Sequence, residues 1–241
     1  MTVFFNYNFT SRLIADFIIF AAIMPAEIYI DPVVVAVNEL HKEVIATKND
    51  IGNVADWLML VSTNLHQQHQ NGNTACAVEL SNYLPGLLGK SEEEIMNYAL
   101  REDEAELTIA LAYGFTNLRS IDPELSFDVN FELAVDHMLN GEIESVQSLV
   151  RENPKLVEAR SPFGHNATLL HYASSNGVEV WRQKVPMNLP DIVSFLIQSG
   201  ADRMATANIY NGQYTTAELA GTSGHPLAAG IFTQLIDALV R

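Results

Sequence analysis

Thr168-Leu169-Leu170-His171-Tyr172-Ala173 is the stretch on which the fold of this chain turns. It is followed four residues later by Gly177 and then by Asp191-Ile192-Val193-Ser194-Phe195-Leu196-Ile197-Gln198-Ser199-Gly200-Ala201-Asp202. The two segments read as a pair of short helices, the second apolar and closed by glycine. A helix-turn-helix unit of this size cannot bury its apolar side alone, so it demands stacked neighbours and leaves a continuous surface suited to gripping another macromolecule. The flanking sequence supplies those neighbours. Upstream, Phe131 to Met138 reads as a helix ended by Gly141. Ile143, Val146, Leu149 and Val150 then form the apolar side of a second helix, stopped by Asn153-Pro154. Downstream, a third unit begins at Gly212 and pairs Thr215-Thr216-Ala217-Glu218-Leu219-Ala220 with Ile231, Leu235, Ile236 and Leu239.

The middle unit resembles the ankyrin repeat family, whose pattern is T-P-L-H-x-A, a glycine, then an apolar helix closing on Gly-Ala-Asp. Thr168, Leu170, His171 and Ala173 match, with Leu169 in place of the proline. In the third unit Thr215 and Ala220 match, Glu218 replaces the histidine, and Gly224 keeps the spacing that Gly177 has from its alanine. The first unit is degenerate, with His137 where the alanine should stand, as suits a capping repeat. The run Arg160 to Tyr172 is similar to ankyrin proteins common in bacterial genomes. The resemblance covers residues 128–241 and implies a protein-protein interaction module of about three units. It implies structural roles for Thr168, His171 and Thr215, whose side chains would hydrogen-bond backbone and tie neighbouring units together. It also implies projecting finger loops, which make Phe163 and His165, and Ile209, Tyr210 and Tyr214, candidates for partner contact.

The largest departure is the insertion Val178 to Pro190, where about two residues are usual in a 33-residue repeat. Trp181, Arg182 and Lys184 give it an aromatic and two cations in an acidic chain, a composition that can anchor a partner. On the alternative reading Trp181 tucks back onto its own repeat while Arg182 and Lys184 pair with nearby acids. The sequence leaves the two readings level.

Residues 1–127 read as a separate, all-α domain that matches no family. Ser11 caps a helix through Phe20, and Pro32 suits the first turn of another built on Val33, Val34, Val37, Leu40 and Val44. Asn53 opens a third, expected to fray into the polar run His66 to Asn73, and a fourth spans Thr74 to Leu84. Ser91-Glu92-Glu93-Glu94 is a reciprocal capping signal for a helix running on toward Ala112, with a break near residues 101–104 and Gly114 as its stop. Strand signals are scarce throughout. The run Leu13 to Met24 superficially resembles a signal peptide. Asp16 within it, a single preceding base and its length favour a buried or interface helix, which could also serve a homo-oligomer.

Composition narrows the function. A net charge of −16 opposes phosphate backbones, so nucleic acid is not an expected ligand. One cysteine, Cys76, supplies neither a disulfide nor a zinc cluster and suits a cytoplasmic setting. Gly86-Leu87-Leu88-Gly89-Lys90-Ser91 lacks the spacing of a phosphate loop. His66 and His69 have no Glu between them to suggest a zinc protease and read as a solvated turn. Asp136-His137 point apart on a helix, and the acids at 92–94 and 102–106 read as a solvated face. No catalytic residue, metal or cofactor is expected. The reading is a noncatalytic recognition module. Its alternatives are an enzyme with its site in or against the N-terminal helices, and an array whose surface those helices cover, which would bury the candidate aromatics.

Overall fold

A computed structural model describes residues 26–241; the helix expected from Ser11 and the apolar run to Met24 lie outside them. The chain opens with β1 (Ile28–Ile30) and enters α1 (Pro32–Ala46), where Asp31 accepts from the amide of Val33 and Pro32 sits in the first turn. Val34, Val37 and Leu40 form its buried side. After α2 (Lys48–Ile51), Asn53 caps α3 (Val54–Gln70) by accepting from the amide of Asp56. This helix does not fray at His66. His66 and His69 donate from Nε2 to the carbonyl oxygens of Leu100 and Ile95, at 3.1 and 2.9 Å, so the expected solvated turn is a helix face bonded to a neighbouring loop.

Past α4 (Cys76–Tyr83), the Ser91 signal works as read. Glu94 accepts from the Ser91 amide at 3.0 Å and the Ser91 hydroxyl accepts from the Glu94 amide at 3.3 Å. The helix it starts, α5 (Glu92–Met96), is short, and the chain restarts as α6 (Glu102–Ala112). The break therefore precedes residues 101–104. Its cause is that the carbonyls of Ile95 and Leu100 are held by the two histidines of α3, while Glu104 reaches back to the Arg101 amide at 3.0 Å and begins a new helix.

The second half is built mainly of short helices. It comprises α7 (Val129–Leu139), capped by Asp128, and α8 (Ile143–Glu152), then a 3-10 turn at Pro154–Val157. Next come α9 (Leu169–Tyr172), the insertion with a 3-10 turn at Val180–Arg182 and β2 (Lys184–Pro186), and α10 (Leu189–Gln198). The hairpin β3 (Thr206–Ile209) and β4 (Gly212–Thr215) leads into α11 (Thr216–Thr222), α12 (Gly224–Ala228) and α13 (Phe232–Val240). The molecule is predominantly helical, and the expectation of an all-α chain is amended by two small antiparallel sheets. In one, β1 pairs with β2, Tyr29 opposite Val185. In the other, β3 and β4 join through Tyr210 and Asn211, both at positive φ, as a two-residue hairpin turn requires.

Buried apolar side chains form two clusters. One runs from Phe131 to Leu239, and the other from Val37 to Ile121. Phe163 and Trp181 are the exceptions to this division by sequence, since both sit in the second cluster. The second half thus sends two side chains into the core of the first.

Candidate functional site

Two loops of the second half carry most of the expected contact residues, and both turn inward. In the loop after Arg160, the Ser161 amide bonds the Ala167 carbonyl at 2.8 Å and Asn166 takes a left-handed φ of 54°. This tight closure aims Phe163 at Trp57, Tyr113 and Phe127, with ring centroids 6.1, 4.8 and 5.8 Å away. The approach is possible because Gly164 meets Gly114: a Cβ on Gly164 would lie 2.2 Å from the Gly114 carbonyl oxygen. Phe163 and His165, expected to project from a finger, are instead buried, because the first-half helices offer an aromatic pocket worth more than exposure to water.

The insertion behaves likewise. Trp181 is 7% exposed and donates from Nε1 to the Tyr113 hydroxyl at 3.2 Å, so it tucks onto the first half and not onto its own unit. Arg182, 1% exposed, stacks on that indole 4.5 Å from the ring centroid. Its guanidinium lies 2.7 Å from Glu132, 2.9 Å from Asp136 and 3.4 Å from Glu179. Lys48 completes the hub, 2.5 Å from Glu132 and over the rings of Trp181 and Phe127. Lys184 lies in β2, its backbone opposite Ile30.

His165 is bound into the edge of this hub. Its Nδ1 accepts from the Ala167 amide at 3.2 Å, and its Nε2 lies 3.5 Å from Glu179, too long for a hydrogen bond. Burial raises the Glu179 carboxyl, but His165 and Arg182 outweigh it and hold the group at about 2. Glu179 is accordingly ionised; its Oε1 accepts from the Tyr172 hydroxyl at 3.2 Å and from Arg182 at 3.4 Å, while its Oε2 has no hydrogen-bond partner among the described residues. The hub is a clasp of two cations, Lys48 and Arg182, with the carboxylates of Glu132, Asp136 and Glu179, all buried except Asp136, whose side chain is 49% exposed.

His171 is bonded at both ring nitrogens. The Thr168 amide donates to Nδ1 at 3.1 Å, which leaves Nε2 to donate to the Tyr214 carbonyl at 3.2 Å and links the middle unit to the third. Burial pushes its pKa down to about 4. In the third unit, Thr215 forms a reciprocal cap with Glu218. Asp136 and His137 do point apart, the first to Arg182 and the second to Glu142. Cys76 is buried, its thiol pushed up to about 12 by burial.

Of the hairpin candidates, Ile209 is buried and Tyr214 half-buried, whereas Tyr210 at the tip is 60% exposed. Its hydroxyl donates to Asn176 at 2.6 Å, which fixes the ring. Tyr210 stands at the lip of a cavity of about 610 Å³ between the hairpin and the turns at 82–88 and 111–116. Leu88, Phe115 and Ile209 give it an apolar side, and Asn82, Tyr83 and Asn211 supply polar groups.

Sequence reasoning missed Lys48, Tyr113, Glu132, Glu179, Tyr83 and Leu88. The spacing of Glu132 and Asp136 by one helical turn was the available signal, because it puts two carboxylates on one face of an otherwise largely apolar helix. Lys48 and Tyr113 carried no local signal. Among the described residues, no group of three His, Cys, Asp or Glu could hold a metal ion, and no helix is long and apolar enough to cross a membrane. Comparison with protein-family models, curated proteins and solved structures finds no match to this chain.

Proposed function

We propose that the protein is a noncatalytic protein-recognition module, an ankyrin-type array over residues 128–241 clasped to a helical region over 1–127, working in a reducing cytoplasm. The observation that carries this reading is the junction cavity with Tyr210 fixed and exposed at its lip, since a rigid aromatic beside a partly apolar recess is the usual anchor of a protein interface. The His171 bridge to Tyr214 supports the array, because it links two consecutive units, and the Thr215 cap supports it by closing the start of its own helix on Glu218. The buried Cys76 thiol suits the compartment.

An enzyme at the same junction has less support. Its best acid-base pair is His165, which lines the junction cavity at only 1% exposure, and Glu179, which is buried and does not line it, so Glu179 meets no substrate without the loop opening. Affinity capture from the source cell with the intact chain and with Tyr210→Ala separates the readings. The module reading expects a protein partner that Tyr210→Ala loses; equal capture by both chains removes this surface, and small-molecule turnover without a partner overturns the reading.

A further inference from the structure

We infer that the junction cavity takes an extended, uncharged segment of a partner chain, seated on one bulky apolar side chain. The inference rests on the recognition reading and names what is recognised.

Charge is the first argument. In a chain of which 17% of residues are charged, none of the side chains lining this cavity is Asp, Glu, Lys or Arg among the described residues. A charged ligand group entering it would lose part of its water and find no carboxylate, ammonium or guanidinium counter-charge on the lining. An uncharged segment avoids that cost.

The shape of the lining is the second. Leu88, 55% exposed, faces a recess it shares with Phe115 and Ile209, an apolar seat left open to solvent. Around it, the Asn82 and Asn211 amides and the Tyr83 hydroxyl belong to the lining. A primary amide offers a donor and an acceptor side by side, which matches the N–H and C=O groups of an extended backbone. A cavity of about 610 Å³ is of a size to hold a few residues.

Rigidity is the third. The hairpin wall is fixed before any partner arrives, since the Asn208 amide bonds the His165 carbonyl at 2.8 Å and its side chain bonds the Gly164 carbonyl at 3.1 Å. Tyr210 is held by Asn176. Little conformational entropy is lost when such a wall closes on a ligand.

The test screens phage-displayed random heptapeptides against the intact chain. The expected result is an enriched family free of Asp, Glu, Lys and Arg at its centre, with one large apolar residue. A synthetic member should bind at least about tenfold more weakly to Leu88→Glu and Tyr210→Ala, and equally well to Leu227→Glu, an exposed apolar site outside the cavity. Tyr210→Phe, which keeps the ring and loses the tether, should fall between. No enriched family, a charged consensus, binding indifferent to Leu88→Glu, or displacement of the peptide by a neutral oligosaccharide that binds more tightly would each overturn the inference. If cell capture yields a Tyr210-dependent partner while the peptides fail, the recognition reading stands and the uncharged-segment inference falls.

Discussion

Arg182 illustrates what a buried charge requires in this protein. Its neighbours Glu132, Asp136 and Glu179 offset the loss of water, and the Trp181 ring covers the guanidinium face. Removing the cation leaves the buried Glu179 carboxylate without a permanent counter-charge and leaves Glu132 to Lys48 alone, so Arg182→Ala should lower unfolding stability by about 3–5 kcal/mol in urea titrations. Arg182→Lys should recover part of that loss, because one ammonium cannot reproduce the planar fork. His171 provides a pH-dependent counterpart. Its folded pKa of about 4 lies below the ordinary 6.5, so the folded state resists its protonation. Its contribution is complete above about pH 6.5 and is lost as pH falls through 4, roughly 3 kcal/mol at most. In His171→Gln the difference in stability from the parent chain should therefore shrink between pH 6.5 and 4, measured as paired urea midpoints. Both behaviours differ in how far the sequence revealed them. Thr168 and His171 are three residues apart, and their bond is readable in the motif. The partners of Arg182 lie up to 50 residues away in the chain, and no local pattern announces them.

Helices of this protein were legible where their ends are set locally. Asp31, Asn53, Ser91 and Thr215 each cap a helix that starts where the sequence places it. The misplaced break before α6 and the persistence of α3 have one origin, the reach of His66 and His69 across to carbonyl oxygens about thirty residues away. The two sheets were missed for a similar reason. Three- and four-residue strands carry too little periodicity to be read, and β1 finds its partner in the insertion near the other end of the chain. The inward turn of the Arg160 loop depends on a backbone contact between Gly114 and Gly164. Gly164→Ala should push the loop from α6, lower stability by about 1–3 kcal/mol, and expose Phe163, seen as a reduced thermal midpoint with increased binding of a hydrophobic dye. A midpoint equal to that of the parent chain would mean that the loop does not sit against Gly114.

Taken whole, the molecule has two apolar clusters joined by an aromatic and ionic clasp. Phe163 and Trp181, which a repeat array standing alone would show to a partner, are used to hold the halves together. What remains open at the junction is the hairpin tip and the recess beside it, and there the account locates recognition. The sequence reading offered Phe163 and His165 to a separate partner; the structure buries both, with Phe163 in the core of the chain's own first half. The most direct test is amide hydrogen exchange of the intact chain, with and without a protein captured by it. The account predicts new protection at residues 82–88 and 208–213, with Tyr210→Ala abolishing it. Protection confined to α10 and α13, with residues 208–213 exchanging as in the free chain, would contradict it.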